Sequence, residues 1–556
     1  MKHYCNPINI PYRYQLYRGH TEKSVHIYRE AADPTLIWYK GHLLLFASMS
    51  AGFYDTVNLA DWTFYPLPES IPLMGYAPDV REVDGWLYFT ASGTEIGNFY
   101  RTKDPWHGEF EELKGKFPFW DPDLFQDDDG RIYFYWGCGR MQPIKGLELD
   151  SVDLSPICEE KELINPLPAL RGYERGGENH KVGESQTYIE GAFMTKRDNW
   201  YYLQYAVPGT QYNIYGDSVF IGESPLGPFF PAENNPFSYK PFGYITGAGH
   251  GSTVADEAGH YMHASTMRIS VNHIFERRVG VFPVGFDKNG QMICDQRFAD
   301  WPIRCNAELF EDPDYFLLSY RKEVNVSNGA NASSITDEDI RTFWRADEEQ
   351  AEVIIDLDRV LKVSAIQINF ADSHQLEQFP EAVKVVENPF ENRGFDLNAG
   401  FTRWILEGSA DFENWVILKD KSIADSDLPH DFIEWEKPWE LRYIRLHIIE
   451  MPYHQNACLS GIRIFGVGNG QIPDEAYVTE AVRTGKMDAV ISWHAENSIG
   501  ACVQFGSSED TLYHSASVTG IERVELGALT EGQPLYVRID PWNENGLRKG
   551  KAFRIY

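Results

Sequence analysis

The stretch FPFWDPDLFQDDDGRIYFYWG, residues 117–137, places five aspartates between an aromatic cluster and a β-type run. Its plan is a polar residue, a short apolar strand, an Asp/Gly turn and a second strand rich in aromatic residues. This plan occurs five times in the first 300 residues. The copies are ADPTLIWYKGHLLLFAS, APDVREVDGWLYFTAS, DPDLFQDDDGRIYFYWG, IEGAFMTKRDNWYYLQYA and GHGSTVADEAGHYMHAS, led by Asp33, Asp79, Asp121, Glu190 and His250.

The repeat predicts an all-β protein that begins with a five-bladed β-propeller. Each copy has the pattern of a β-hairpin with a tight turn, and spacings of about 40 to 70 residues suit four-stranded blades. The first residues of the inner strands of a propeller face its central axis, so the five leading residues should meet there. Carboxyl groups gathered in one place repel each other and separate their pKa values. Hydrolysis of a glycosidic bond uses such a pair, one as acid and one as base.

The remaining acids of the opening stretch have a simpler explanation. An EF-hand loop ending its pattern on Gly130 would begin at Phe125 and finish at Trp136, and neither can bind calcium. We therefore predict that residues 127–129 and Gly130 form a hairpin turn. Asp123 receives no functional role.

Composition restricts the classes of protein and partner. A chain of 556 residues predicts two to four domains. The 82 acidic and 50 basic residues give a net charge of −32, which argues against nucleic acid and anionic membranes as partners. Neither a secretory apolar core nor a membrane-length apolar run is evident, and the seven cysteines show no disulfide or zinc spacing. We expect a cytoplasmic protein, or a secreted one if a leader precedes this sequence.

The motifs, taken in order, resemble a known family. ADP near the start, DP…DDDG, EG and GHGS resemble glycoside hydrolase family 43 over roughly residues 1 to 305. The family consists of five-bladed β-propellers that invert the anomeric configuration and mostly remove arabinofuranose or xylose. The resemblance implies that Asp33 is the general base, that Glu190 is the general acid, and that Asp121 orients the acid and raises its pKa. The sequence departs from the family in EGAF, where a proline usually follows the glycine.

The resemblance also implies contacts to the sugar. It places His250 at the propeller axis, beside the sugar or a structural calcium, and Arg277 against substrate hydroxyls, with Arg278 as the alternative register. Trp120 and Asp79 are further candidates for substrate contact, and a structural role for Asp79 is equally open. We expect no required cofactor, since no phosphate-binding Gly-rich loop is present.

The segment between the third and fourth copies supplies rival acids. They are Glu174, Glu178 and Glu184. We choose Glu190 over them because it alone opens a strand of the repeat.

Two further domains are predicted after the propeller, which is assigned residues 1–310. Residues 311–467 resemble a discoidin, or factor 5/8 type C, β-sandwich, interrupted by an insertion at about 372–400. Residues 468–556 resemble a fibronectin type III sandwich. We hypothesise that the insertion packs on the propeller or helps to wall the active site.

These observations predict an inverting exo-glycoside hydrolase that releases terminal pentose, α-L-arabinofuranose or β-D-xylose, from plant-type oligosaccharides. Inversion requires about 6.5–9.5 Å between the two carboxyl groups, to admit the attacking water. One alternative is an exo-glycosidase of the same fold that acts on β-galactose. The other is a propeller that binds carbohydrate without hydrolysing it. The sequence does not indicate an oligomeric state.

Overall fold

In the computed structural model, the regular secondary structure of the described residues consists of β-strands and short 3₁₀ turns. The structure describes residues 2–19, 25–68, 71, 76–93, 96–183, 187–373, 384–387, 391–395 and 400–556. Short 3₁₀ turns interrupt the strands at Gly172–Glu174, Glu178–His180, Ala332–Thr336 and Pro452–His454. The all-β prediction is confirmed, and none of the described helices has the length and apolar character needed to cross a bilayer.

The first 300 residues form five four-stranded antiparallel blades, each beginning near one copy of the repeat. Blade 1 consists of Ala32–Tyr39, His42–Ser48, Gly52–Thr56 and Thr63–Pro66. Blade 2 consists of Asp79–Val83, Trp86–Thr90, Phe99–Thr102 and Glu111–Leu113. Blade 3 consists of Asp123–Gln126, Ile132–Trp136, Ile144–Leu149 and Lys161–Ile164. Blade 4 consists of Tyr188–Arg197, Trp200–Val207, Gly216–Gly222 and Phe229–Pro231. Blade 5 consists of Thr246–Ala255, Tyr261–Arg268, Arg277–Phe286 and Met292–Cys294.

The predicted turn in blade 3 is present and also contacts the next blade. Gly130 has a φ of +83°, a conformation that glycine adopts without steric cost. The amide of Gly130 donates to the carbonyl of Asp127 at 2.9 Å. The Asp127 carboxylate accepts hydrogen bonds from Lys196 and from the Tyr201 hydroxyl of blade 4. The acidic turn therefore also links two blades.

Side chains near the start of each inner strand join neighbouring blades. Asp79 accepts the amide of Leu124 at 2.8 Å, which joins blade 2 to blade 3. Asp123 accepts the amide of Met194 at 2.7 Å, which joins blade 3 to blade 4. Because these carboxylates are buried, loss of the hydrogen-bond donor to either one would destabilise the folded protein.

The same kind of contact closes the ring of blades. Ser252 of blade 5 accepts the amide of Leu36 of blade 1 at 2.7 Å. Thr35 of blade 1 donates to the carbonyl of Pro78 at 2.7 Å, leading into blade 2. A parallel bridge between Gly216 and Ala248 joins blades 4 and 5. The five blades thus form a closed propeller.

The N-terminal segment pairs with a strand that follows blade 5 and with two strands of the insertion. Strand His3–Cys5 pairs with Pro302–Arg304. Strands Arg13–Gly19 and Val25–Glu30 form a hairpin directly before Asp33. Two strands of the predicted insertion, Lys384–Glu387 and Glu391–Phe395, extend this hairpin into a four-stranded sheet. The rest of the insertion, residues 374–383, 388–390 and 396–399, lies outside the described residues.

The chain after the propeller forms two further groups of sheets. The first, which we call the middle sheet, consists of Phe316–Leu317, Glu323–Val326, Trp344–Arg345, Ala351–Phe370, Arg403–Ser409, Trp415–Asp420, His430–Glu450 and Cys458–Val467. The second consists of Tyr477–Arg483, Ala489–His494 and Arg523–Leu526, facing Gly500–Gly506, His514–Thr519, Leu535–Asn543, Gly546–Leu547 and Phe553–Ile555. Its buried Trp493 shares one apolar core with Phe220 of blade 4. The C-terminal sheets therefore pack on the propeller.

Candidate active site

The propeller brings one residue of each blade to the axis through a shared backbone distortion. Asp33, Ala77, Asp121, Gly191 and His250 all have φ between 48° and 61°. In blades 1, 4 and 5 an irregularity in the strand ladder lies at this position. Non-glycine residues rarely adopt positive φ, so the recurrence marks one structural position, repeated in every blade. We call these five residues the axial positions.

The axial positions correct the predicted register in blade 2. Asp79 lies two residues beyond the axial Ala77 and corresponds to Asp123 of blade 3, since both accept an amide of the following blade. Asp79 is buried beside Asp123 and Arg81, away from the axial contacts. Its carboxylate makes a contact between blades, and the predicted convergence of Asp79 on the axis is wrong.

Asp33 lies in a cationic environment that stabilises its carboxylate. Arg277 donates to both oxygens, at 2.8 and 2.9 Å, and Ser48 donates to Oδ2 at 2.7 Å. Burial raises the pKa of Asp33, but Arg277 and then His250 outweigh it, so the pKa lies below its ordinary 3.8. Asp33 is therefore ionised at neutral pH and can accept a proton.

Arg277 is itself held by a second carboxylate. Glu30, the last residue of the N-terminal hairpin, accepts two hydrogen bonds from Arg277, at 2.6 and 3.0 Å. The Phe275 ring lies 4.9 Å from the guanidinium carbon. Arg278 points elsewhere and donates to His430 of the middle sheet at 2.7 Å. Of the two registers considered, Arg277 is therefore the arginine of the site, where it contacts the carboxylate of Asp33.

Hydroxyl groups at the ends of the second strands position the axial aspartates. Thr266 of blade 5 accepts the amide of Asp33 at 2.7 Å. Ser92 of blade 2 accepts the amide of Asp121 at 2.7 Å and donates to its carboxylate at 3.1 Å. Ser48 contacts residues of both blades 1 and 2, because it also accepts a hydrogen bond from the amide of Ala77 at 2.8 Å. Each hydroxyl thus satisfies a buried amide next to the axis.

Glu190 occupies the opposite electrostatic environment from Asp33. It precedes the axial Gly191 and is mostly buried, with a minor part of its surface exposed. Burial, followed by the nearby charge of Asp121, raises the pKa of Glu190 to about 7. Tyr215 donates to Oε1 at 2.7 Å and Cys138 to Oε2 at 3.5 Å. A carboxyl group with this pKa is substantially protonated near neutrality and can donate its proton.

Asp121 lies close to Glu190, and it faces His250 together with Asp33. One carboxylate oxygen of Asp121, one of Glu190 and the Sγ atom of Cys138 all lie within 4.8 Å of one another. Burial raises the pKa of Asp121, an effect that His250 partly offsets. Burial also raises the pKa of the Cys138 thiol, which therefore stays protonated and acts as a donor. Cys138 and Tyr215 could not be predicted from the sequence, since neither belongs to the repeated motif.

His250 links the acids on the two sides of the axis. Its Nδ1 lies 3.5 Å from Asp33 Oδ1 and 3.8 Å from Asp121 Oδ2. Burial opposes protonation of the ring, but Asp33 and then Asp121 outweigh it and raise the pKa of His250. Asp217 accepts the His250 amide at 2.7 Å and fixes the backbone.

Glycine after Glu190 is required by this packing. Gly191 has a φ of +61°, and a Cβ there would lie 2.8 Å from the His250 ring. The packing against His250 therefore requires the glycine of the EG motif.

The other predicted residues lie outside this set of contacts. Trp120 precedes Asp121, is partly exposed, and accepts the amide of Gly137 through its carbonyl at 3.0 Å. The rival Glu174 is buried and binds Arg171 and Tyr205, at 2.9 and 2.7 Å.

Two further glutamates were considered as alternatives to Glu190 for the general acid. Glu178 pairs with Arg268 at 2.8 Å, and Glu184 lies outside the described residues. The described rivals are therefore engaged in structural contacts.

The residues at the axis are a poor set of ligands for the calcium considered from the sequence. Calcium prefers six to eight oxygen ligands, whereas the closest group here includes the protonated thiol of Cys138. His250 directs Nδ1 toward two carboxylates and has a raised pKa, which favours an imidazolium over a metal ligand. We derive no catalytic step that uses a metal.

Comparison with known proteins finds a family model that matches part of the chain. Residues 53–292, a range that begins after Asp33 and includes Asp121, Glu190, His250 and Arg277, match the model for glycosyl hydrolases family 43. The β-D-galactofuranosidase xynD of Aspergillus niger is 26% identical over 234 residues, which cover 36% of this chain and 62% of that protein. A xylosidase/arabinosidase of Butyrivibrio fibrisolvens is 27% identical over 210 residues, covering 35% and 38% respectively.

These alignments span less than two thirds of either relative. Among solved structures, the GH43 BlXynB protein of Bacillus licheniformis is 13% identical and has a TM-score of 0.42. That comparison covers 83% of this chain and 99% of that one.

Proposed function

We propose that this protein is an inverting exo-glycoside hydrolase that releases a terminal pentose, α-L-arabinofuranose or β-D-xylose, from oligosaccharides. The observation that carries the proposal is the contrast between two carboxyl groups at one axis. Asp33 is held ionised by Arg277, whereas Glu190 has a pKa of about 7. An acid and a base with separated pKa values are what hydrolysis of a glycosidic bond requires.

The proposed reaction uses each carboxyl group once. Glu190 transfers its proton to the glycosidic oxygen as the bond from that oxygen to the anomeric carbon breaks. Asp33 accepts a proton from the water that attacks the anomeric carbon from the opposite face. The products are a sugar of inverted configuration and an alcohol, with the proton lost by Glu190 balanced by the one gained by Asp33.

Asp121 and His250 act through the two reacting carboxyl groups. The charge of Asp121 raises the pKa of Glu190 and keeps it protonated. His250 faces Asp33 and Asp121 and offsets part of their negative charge. Tyr215 and Cys138 hold the Glu190 carboxyl group in one orientation.

The sugar is the least determined part of the proposal. The similarity to a protein named xylosidase/arabinosidase favours a pentose. The similarity to a protein named β-D-galactofuranosidase favours a second candidate, a galactose-type glycone handled by the same residues. A panel of nitrophenyl arabinofuranosides, xylosides, galactopyranosides and galactofuranosides distinguishes the two.

The test combines that panel with the stereochemistry of the product. Proton NMR taken within the first minutes of hydrolysis should show the anomer opposite to that of the substrate. Initial formation of the same anomer would contradict the inverting mechanism. A wild-type protein inactive on the whole panel and on natural oligosaccharides would instead favour a binding protein.

A further inference from the structure

A large cleft separates blade 1 from the middle sheet, and none of the proposed catalytic residues lines it. Its volume is about 1200 Å³. Sites for small molecules usually enclose about 300–1,000 Å³, so this cleft has room for several sugar residues. We call it the interdomain cleft. Lys2, His3, Asp61 and Trp62 lie on the propeller side, and the other wall includes Lys419 and the segment 431–436.

Aromatic side chains line both walls of the interdomain cleft. Trp62 is contributed by blade 1 and Trp435 by the longest strand of the middle sheet, and both are partly exposed. Each indole N–H is already bound to a backbone carbonyl, of Leu59 at 2.9 Å and of Leu418 at 3.4 Å. The polar edge of each ring is therefore satisfied. Each ring packs in part against a hydrophobic core, and its partly exposed remainder can make apolar contact with a ligand. The C–H faces of sugar rings pack on such surfaces by dispersion.

The charged groups of the cleft balance each other. Five basic residues, Lys2, His3, Arg304, Lys419 and Lys421, stand against five acidic ones, Asp61, Asp314, Asp431, Glu434 and Glu436. Several of them pair directly, as in Lys421 with Asp431 and Lys2 with Asp61. In a chain of net charge −32, such balance disfavours a strongly charged ligand. It supplies both donors and acceptors for a neutral ligand rich in hydroxyl groups.

Hydrogen bonds cross the floor of the cleft from one wall to the other. His3 is buried and contacts Glu434 Oε1 through Nδ1 at 2.5 Å and Asp314 Oδ2 through Nε2 at 2.8 Å. The amide of His3 also donates to Glu434 at 3.0 Å. Tyr315 donates to the same carboxylate at 3.0 Å. These contacts fix the two walls relative to each other, so a ligand would meet a preorganised site.

We propose that the interdomain cleft is a second carbohydrate-binding site, which takes a neutral oligosaccharide segment of a polysaccharide chain. The choice of pentose-containing chains as ligands rests on the proposed function. The cleft itself is separate from the Asp33 and Glu190 site, so it would hold the polymer while a terminal sugar is removed elsewhere.

Affinity electrophoresis tests the proposal directly. Proteins carrying Glu190→Gln, to prevent cleavage, are run in native gels containing arabinan, arabinoxylan or galactan. We expect at least one of these polysaccharides to retard the Glu190→Gln parent. Adding Trp62→Ala and Trp435→Ala should weaken that retardation about tenfold, corresponding to the loss of two aromatic contacts. Trp200→Ala removes an exposed tryptophan of blade 4 outside the cleft and should leave the retardation unchanged.

A second variant guards against a loss that merely reflects misfolding. Asp61→Ala changes an exposed residue of the cleft and should weaken retardation severalfold with no change in Tm. The proposal is overturned if no polysaccharide retards the parent, or if both cleft variants migrate as it does. Its failure is distinguishable from that of the proposed function, because hydrolysis of nitrophenyl glycosides is measured separately. Without Glu190→Gln, Trp62→Ala/Trp435→Ala should keep kcat/KM on those substrates within about twofold.

Discussion

At the scale of single residues, Asp33 and Glu190 are chemically similar groups in opposite surroundings. Asp33 receives two hydrogen bonds from a guanidinium, whereas Glu190 receives two from neutral donors and lies near the negative Asp121. The first environment stabilises the ionised form and the second the protonated form. Their proposed roles as base and acid follow from these neighbours.

Replacing Glu190 by glutamine should abolish protonation of the leaving group. Gln can still accept from Tyr215, so the fold should persist, and kcat on oligosaccharides should fall about 10²–10⁴-fold. The loss should be much smaller on dinitrophenyl glycosides, whose leaving groups need no proton. The control is Glu174→Gln, a buried glutamate of the structural network, which should retain most of the activity. Equal losses on both kinds of substrate would contradict the assignment of Glu190 as the acid.

The pH dependence of kcat/KM should be bell-shaped. Glu190 must be protonated, so activity is present below its pKa of about 7 and is lost as the pH rises through that value. Asp33 must be ionised, and since its pKa lies below 3.8, activity is lost only in acid below about pH 4. Initial rates at substrate concentrations well below KM measure the acidic and the basic limb of this pH profile. A basic limb well above pH 8 would count against Glu190.

Asp121→Asn should move the basic limb of this profile to lower pH. The substitution preserves the size of the side chain and removes the nearby charge that, after burial, contributes most to the raised pKa of Glu190. The control Asp123→Asn alters the neighbouring buried aspartate, which binds Arg81 and the Met194 amide instead. The limb should stay in place in that control. An unshifted limb in Asp121→Asn would contradict the proposed tuning role.

At the scale of the elements, the blades depend on side chains near the start of the inner strands. Asp79, Asp123 and Ser252 each accept an amide from the next blade, and the contact from Ser252 closes the ring. These residues follow the axial positions by two, so one segment of backbone both positions the site and joins the blades.

Asp123→Ala should destabilise the propeller strongly. It removes the acceptor of the buried Met194 amide and the carboxylate partner of Arg81. Loss of one partner of a buried pair costs about 3–5 kcal/mol, which should lower the Tm by at least about 5 °C. The matched control is Asp129→Ala in the same stretch, where the aspartate is exposed and pairs only with Arg131 among the described contacts. Its Tm should change by no more than about 1 °C. Equal Tm changes would contradict the inter-blade role of Asp123.

At the scale of the whole molecule, a buried ionic network connects the propeller to the middle sheet behind Asp33. Arg29 is fully buried and pairs with Asp372 at 3.2 Å and with Asp427 at 2.9 Å. The next residue, Glu30, binds Arg277. The domain after the propeller therefore supports the segment that holds Arg277 against Asp33.

Arg29→Met should lower both stability and activity. Two buried carboxylates would lose their cation, at a cost of about 3–5 kcal/mol, and displacement of Glu30 would loosen Arg277. We expect a clear fall in Tm by calorimetry and a reduced kcat/KM. The control Arg442→Met breaks a partly exposed pair with Asp356 in the middle sheet and should lower the Tm much less than Arg29→Met does. Unchanged activity in Arg29→Met would argue against this support.

Much of the architecture is readable from the sequence because the blades repeat. Alternating strands, Gly and Asp turns and a polar residue at each strand start predict five hairpins, and the hairpins predict an axis at which Asp33, Asp121, Glu190 and His250 meet. The repeat also misled in one place. Ala77 and Asp79 are separated by only one residue. Asp79 was predicted to lie at the axis because its side chain is acidic, whereas the backbone conformation places Ala77 there.

By itself, the sequence determined the strand pattern, the turns and the identities of four acidic or basic groups near the axis, because these depend on local periodicity and residue type. Only the tertiary structure decided which arginine meets Asp33, that Cys138 and Tyr215 hold Glu190, and that Asp79 and Asp123 join blades. The pKa values of Asp33 and Glu190 also depend on the fold. They depend on burial and on charges contributed by residues far apart in the chain, which come within a few ångströms of each other only when the propeller closes.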